Sequence, residues 1–182
     1  MAQPTLIVIG GFAGAGKTTV TNRLSASYNY PVFSSDDIND ALRVALQKTF
    51  KEISSVAYRV MWHLIKKQLS NDIVVVADVH MAADHIWKSL DQLSAEMPNV
   101  RVLPIILKAS LDTHRSRIEE RGRTNKEHLN LGGDKLEDIL FKYEYIETLD
   151  RPNIIMIDAN GSAEEVYASV EQCIKDALSS QL

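Results

Sequence analysis

Cys173 is the chain's one cysteine, so no internal disulfide can form and the fold must rest on its apolar core. Lysine and arginine never cluster into a long basic run, and the formal net charge is −4. That argues against a broad nucleic-acid-binding face, because such a face needs concentrated positive charge. No apolar stretch approaches the roughly 20 residues needed to cross a bilayer. The N-terminal MAQPTLIVIGG has a short apolar run without a basic leader. It reads as a strand entering a glycine loop, not as a targeting segment. The expectation is a cytoplasmic protein with no membrane partner. Nothing in the pattern specifies an oligomeric state.

What is present is an ordinary globular composition. Hydrophobic residues make up 45% and charged residues 24% of 182 residues, enough to bury one core in a single domain spanning 1–182. Strand-like and helix-like patterns alternate along it. Short β-branched or apolar runs predict strands at Thr5–Ile9, Pro31–Phe33, Ile73–Ala77, Val100–Leu107 and Ile154–Ile157. Pro104 places its part of the fourth strand near an edge or a bend. Helical spacing predicts helices over Lys17–Tyr28, Asp37–Gln47, Ser54–Leu69, Ala82–Met97, Ser110–Arg121 and Asp134–Leu149, with a last one after Ser162. In the third of these, Val56, Val60, Leu64 and Ile65 fall on one side. Ser162 and Glu165 form a capping box for the last, whose face is Val166, Val170, Cys173 or Ile174, and Ala177. Gly122–Gly133 is polar and reads as a loop. Five strands separated by helices imply a parallel sheet with right-handed crossovers, a three-layer α/β/α sandwich with its cleft beyond the strands' carboxyl ends.

Between the first strand and the first helix stands Gly11-Phe12-Ala13-Gly14-Ala15-Gly16-Lys17-Thr18, which fits G-x-x-x-x-G-K-[ST] at every fixed position. Average residue usage puts a chance match in such a chain on the order of one in a hundred. The residue types follow from the chemistry. Glycines let successive backbone N–H groups turn inward onto phosphate oxygens, and the following helix adds its positive end. Gly11, Ala13, Gly14, Ala15, Gly16, Lys17, Thr18 and Thr19 are the expected nucleotide contacts. Lys17 reaches the β- and γ-phosphates, and the Thr18 hydroxyl ligates Mg²⁺.

Two acidic segments belong with this loop. Asp36 and Asp37 follow the second strand, where a carboxylate accepts or orients an acceptor hydroxyl. Helix capping by Ser35 or Asp36 is the alternative there. Asp78 ends the run Ile73-Val74-Val75-Val76-Ala77 in a Walker B-like position, as a metal or substrate contact. A cap or a solvated loop acid is its alternative. His80, two residues on, is a structural or substrate-contacting residue.

A basic segment, RSRIEERGR, leads from a helix into the polar loop. Arg117 and Arg121 share one helix face. Phosphoryl transfer needs cations that close over the phosphates, so Arg117, Arg121 and Arg123 are candidate donor contacts in a short lid at about 121–134. The macrodipole and neighbouring Glu119 and Glu120 offer a purely structural account of the same arginines.

Four segments, GFAGAGKTT, SSDDI, VVVADVHM and RSRIEERGR, together resemble the small P-loop kinases related to the polynucleotide kinase 5′-hydroxyl kinase domain, zeta toxins and chloramphenicol phosphotransferase. The resemblance implies a P-loop NTPase fold, nucleoside-monophosphate-kinase-like, with strand order 2-3-1-4-5. It further implies Asp36 as general base, Asp78 at the substrate or metal shell, and Arg121 closing over the phosphates. One departure stands out. Polynucleotide kinases commonly carry an arginine two positions after the acidic pair, where this chain has Asn39, its nearest arginine being Arg43.

The expected activity is transfer of the γ-phosphate of Mg-ATP to a small-molecule hydroxyl, with nucleic acid disfavoured by Asn39. Lys17, Asp36 and Arg121 carry the chemistry, and Asp36, Asp37, Asp78 and His80 meet the acceptor. A nucleoside or polynucleotide 5′-hydroxyl kinase is the alternative, with Tyr58, Trp62 and Trp87 available for stacking. A nucleotide-dependent switch or toxin-like module is a third. No guanine-specifying N-K-x-D is present, since Asn125-Lys126 is followed by Glu127-His128, which favours ATP.

Overall fold

A computed structural model describes residues 3–81, 84–124, 151 and 153–179. The strands are β1 (Thr5–Gly11), β2 (Val32–Ser34), β3 (Val75–Val79), β4 (Arg101–Lys108) and β5 (Ile155–Asp158). The helices are α1 (Lys17–Tyr28), α2 (Ser35–Leu46), α3 (Phe50–Leu69), α4 (Asp84–Glu96), α5 (Leu111–Thr124) and α6 (Ala163–Ser179). The expected helix Asp134–Leu149, most of the loop Gly122–Gly133, and Ala82 at the expected start of α4 lie outside the described residues.

All strand pairs are parallel, in the order β2-β3-β1-β4-β5. This is the 2-3-1-4-5 sheet that the resemblance implied. β1 is central and buried along its whole length. Side chains alternate across a strand, so its residues divide between two cores. Leu6 and Val8 join Met61, Ile65, Ile86, Leu90 and Leu93 from α3 and α4. Ile7 and Ile9 join Val20, Leu24, Val166, Val170 and Ile174 from α1 and α6. The three-layer α/β/α sandwich follows from that division.

Several expected boundaries shift. The third strand begins at Val75, since Ile73 and Val74 are only half-buried, and it runs through Asp78 to Val79 opposite Gly10. Asp78 therefore sits inside the strand instead of ending it. α2 begins at Ser35, and its cap is Ser34, whose Oγ accepts the Asp37 N–H at 3.3 Å. Neither Ser35 nor Asp36, the alternative caps offered by the sequence, takes this place, because the helix starts earlier than the expected Asp37. α3 begins at Phe50, because Thr49 and Glu52 supply a capping box, with the Thr49 N–H donating to Glu52 Oε2 at 2.9 Å. Its buried face is Ile53, Ala57, Met61 and Ile65, while Val60, expected inside, is 37% exposed. α5 continues through Gly122 to Thr124, beyond the expected end at Arg121.

Pro104 lies at a local edge, as its missing N–H requires. β4 pairs with β1 from Arg101 onward, but with β5 only from Ile105. The Ser162–Glu165 capping box is present, with Ser162 N–H to Glu165 Oε2 at 2.8 Å and Glu165 N–H to Ser162 Oγ at 3.3 Å. Among the described residues no helix is long and apolar enough to cross a membrane.

Candidate active site

The Gly11–Thr18 loop leaves the carboxyl end of β1 and turns into α1. Its backbone needs glycine at defined points. Gly14 has φ +81° and Gly16, at the start of α1, has φ +95°, both in the left-handed region. A side chain at Gly11 would bring its Cβ to 2.8 Å from the Leu107 carbonyl oxygen of β4. The Ala15 N–H closes a turn onto the Phe12 carbonyl at 3.1 Å. Lys17 Nζ also donates to that carbonyl, at 3.3 Å.

Thr18, in the first turn of α1, meets Asp78 of β3. Its Oγ1 donates to Asp78 Oδ2 at 3.0 Å. Asp78 is only 6% exposed. Burial pushes its carboxyl above the ordinary carboxylate range; Lys17 and the Thr18 hydroxyl oppose that, while the charges of Asp36 and Asp37 add to it. A desolvated carboxylate beside a hydroxyl, facing a cleft, is a hard-oxygen pair of the kind that suits Mg²⁺. That ion takes one or two protein oxygens and fills its shell with water and substrate phosphates. No cluster of three or more His, Cys, Asp or Glu able to hold a metal occurs among the described residues, so these two oxygens are the protein's contribution in view.

Two cavities flank the loop. The first, about 420 Å³, is lined by Lys17, Thr18, Asp36, Asp78 and His80, and by Tyr58 of α3 and Phe50 at its mouth. The second, about 340 Å³, lies on the other side of Gly14–Gly16, against Thr19, Arg117 and the Gly161–Ala163 segment that opens α6. Gly14 and Gly16 border both cavities. A nucleotide with its phosphates in the loop thus has room for a nucleoside on one side and an acceptor on the other.

The sequence-derived residues distribute as follows. Lys17, Thr18, Asp36, Asp78 and His80 converge on the first cavity. Asp36 is exposed in the first turn of α2; Asp37, its neighbour, is not among the residues lining that cavity. His80 is half-buried, with its ring edge-on to Phe12 at 5.1 Å between centroids. Thr19 and Arg117 fall on the second cavity. Arg117 spans the loop and the α6 entry, donating to the Gly14 carbonyl at 3.4 Å and the Gly161 carbonyl at 2.9 Å. Arg121 and Arg123 stand in the last turns of α5, but their side chains, and the rest of the expected lid, lie outside the described residues.

Sequence reading missed four residues placed at the site. His114 of α5 is fully buried under the loop, its Nδ1 2.9 Å from the Ala13 carbonyl oxygen. Gly161 and Ser162 form a wall of the second cavity; the Gly-Ser pair before a capped helix was their only signal. Ser35, buried beside Asp36, also lines the first cavity. Of the proposed stacking residues, Trp62 and Trp87 are core residues, at 8% and 4% exposure, while Tyr58 reaches the cleft. Tyr58 packs edge-on against His85, 4.7 Å between centroids, and burial holds its phenol above the ordinary range, with the charges of Asp36 and Asp78 adding to the rise.

Solved structures share this architecture. A protein from Chloroflexus aurantiacus J-10-fl, provisionally named a kinase, superposes with a TM-score of 0.73 at 16% identity, covering 97% of this chain and 98% of that one. A deoxyadenosine kinase from M. mycoides gives 0.62 at 19% identity, covering 94% and 99%. A gluconokinase from Sinorhizobium meliloti 1021 gives 0.62 at 15% identity over the whole of both chains. At these identities the likeness establishes the fold, an α/β P-loop fold of the kind found in kinases. No curated protein sequence matches the chain. A sequence family model does match, over residues 6–146, and the chain belongs to that family, the AAA domain family AAA_33.

Proposed function

We propose that the chain is a phosphotransferase that moves the γ-phosphate of Mg-ATP onto a hydroxyl of a small molecule, as one kinase domain over 1–182 with a short lid at about 121–134. The observation that carries this reading is the convergence of Lys17, Thr18, Asp36 and Asp78 on one cleft beside a phosphate loop, with a second cavity behind that loop. A nucleotide switch needs the loop and the metal pair, but has no use for the acid-lined first cavity beside the one that takes the nucleoside.

In this reading the nucleoside occupies the cavity bounded by Arg117 and Gly161–Ala163, and the phosphates take the loop's N–H groups and Lys17. Thr18 and Asp78 would hold Mg²⁺, which neutralises charge on the phosphates when bound. Asp36, on the lining of the first cavity, takes or orients the proton of the acceptor hydroxyl. Asp78 and His80 contact the acceptor from the end of β3. Arg121 and Arg123, carried on the end of α5, close over the donor phosphates. The finer kinship with the polynucleotide kinase 5′-hydroxyl kinase domain, zeta toxins and chloramphenicol phosphotransferase remains part of this proposal, as does a cytoplasmic location.

One observation favours a nucleoside as acceptor over other hydroxyl compounds. Tyr58 and Phe50 put two aromatic side chains on the lining of the first cavity, the kind of surface on which a base packs. The test is ADP release from ATP, with and without each member of a panel of sugars, nucleosides, oligonucleotides and hydroxylated antibiotics. Acceptor-dependent release that vanishes in Lys17→Ala supports the reading. ATP binding with acceptor-independent, slow hydrolysis across the whole panel would point to a switch instead.

A further inference from the structure

Three consecutive carbonyls of the phosphate loop are tied off by donors. The Phe12 oxygen receives the Ala15 N–H and Lys17 Nζ, at 3.1 and 3.3 Å. The Ala13 oxygen meets His114 Nδ1 at 2.9 Å, and the Gly14 oxygen receives Arg117 Nη1 at 3.4 Å. This matters because a trans peptide points its C=O and its N–H in opposite directions. Each carbonyl held to one side aims the next residue's N–H to the other.

The three holds differ in kind. Lys17 and Arg117 end in flexible, partly exposed cations; Lys17 is proposed above to meet the phosphates and Arg117 borders the nucleoside cavity, so a bound nucleotide would draw both off their carbonyls. His114 is rigid and fully buried, on the face of α5 that the loop lies against. The packing there is close. A Cβ on Gly14 would come within 3.3 Å of both the His114 carbonyl oxygen and Ile118 Cγ1. The Phe12 ring stands edge-on to His114, 6.1 Å between centroids, and limits its rotation.

We propose that His114 is a positioning residue for nucleotide binding: its Nδ1–H holds the Ala13 carbonyl and so directs the Gly14 N–H toward the phosphates. This rests on the nucleotide-binding reading of the loop. A carbonyl oxygen only accepts, so His114 must carry its proton on Nδ1. Burial, first, and the nearby charges of Arg117 and Lys17 hold its pKa below the ordinary histidine value, despite the opposing Ala13 hydrogen bond. The ring is therefore a neutral Nδ1–H tautomer at neutral pH.

Three substitutions separate this role from simple packing. His114→Asn keeps an amide N–H near the position of Nδ1. His114→Gln carries the same group one methylene further out, and His114→Leu removes the donor. Binding of AMP-PNP with Mg²⁺ to the full chain is measured by calorimetry. Losing one buried donor is expected to weaken binding about tenfold in the Leu and Gln variants, with His114→Asn staying within about threefold of wild type. In turnover, KM for ATP rises by the same factor and kcat changes little. Imidazole ¹⁵N spectra of the unliganded wild type should show the Nδ1–H tautomer.

Wild-type affinity in His114→Leu, or His114→Asn as weak as His114→Gln, overturns the proposal, as does an Nε2–H tautomer. If His114→Leu does not fold, the Asn and Gln pair decides. Failure of the wild type to bind AMP-PNP would instead remove the nucleotide reading, and this inference with it.

Discussion

The hydroxyl of Thr18 donates to Oδ2 of Asp78 at 3.0 Å, joining residues 60 positions apart. Two strands make this meeting inevitable. β1 and β3 pair with Ile9 opposite Asp78, so the loop leaving β1 and the acid near the end of β3 emerge at the same edge. The pair is also where function and stability pull in opposite directions. Burial raises the folded-state pKa of Asp78 above the ordinary carboxylate value. The ionised form is then disfavoured by the fold, so stability falls as pH climbs from the ordinary range to the raised value, and stays reduced above it. Asp78→Asn removes that cost while keeping an oxygen for Thr18 to bond. At neutral pH it should raise stability by about 1 kcal/mol, a few degrees in Tm for a chain of this size. The gain should shrink as pH falls from the raised value to the ordinary carboxylate range, and Mg²⁺-dependent turnover should be lost. Thermal melts of both proteins from pH 3 to 8 check the sign; an unchanged or lower Tm at pH 7 would mean that Lys17 and Thr18 fully offset the burial.

Lys17 Nζ donates to the loop's own Phe12 carbonyl at 3.3 Å. Lys17→Ala should leave the melting temperature nearly unchanged and lower acceptor-dependent ADP release by roughly 10²- to 10³-fold, the usual effect of deleting one donor to developing charge. Steady-state ADP release beside a thermal melt reads both.

Asp36 lines the first cavity, whereas Asp37 is not among its lining residues. Asp36→Asn should lower kcat by roughly 10²- to 10⁴-fold, the range of general acid–base catalysis, with AMP-PNP affinity unchanged. Asp37→Asn should keep most of the activity. The reverse ranking in parallel kinetics of the two variants would move the base to Asp37.

Tyr58 lines the same cleft, and its ring meets His85 edge-on. If the acceptor is a nucleoside, Tyr58→Ala raises its KM about tenfold, while Tyr58→Phe changes it little, because the ring face and not the hydroxyl meets a base. Equal KM values in the two variants, measured with the best acceptor of the panel, would assign the contact to another residue.

Gly10 is the last residue but one of β1. A methyl group there would lie 2.1 Å from Met81 Cγ and 2.8 Å from Ile106 Cδ1. Gly10→Ala should destabilise the protein by about 1–3 kcal/mol through overpacking. Denaturant titration gives the value, and a midpoint equal to wild type would show that Met81 moves aside freely.

Much of this was legible in the residues themselves. Local rules act over a few positions, so the loop motif, the helix from Lys17 to Tyr28, and the Ser162–Glu165 cap could be read without tertiary information. The errors came where neighbours decide. Ile73 and Val74 look like strand but stand half-buried ahead of the ladder, and Val60 fits the helical period yet turns outward, because packing against the sheet chose the adjacent stripe of Ile53, Ala57, Met61 and Ile65.

The sequence by itself determined that a phosphate loop joins a buried strand to a helix, since the glycines and Lys17-Thr18 act through their own backbone and spacing. Only the tertiary structure decided what surrounds it. Parallel pairing of β1 and β3 set Asp78 against Thr18, and α5 laid His114 and Arg117 across the loop from about a hundred residues away. No local pattern encodes such meetings. They arise because both cores must be buried at once, and one strand order brings these chain ends to a common edge.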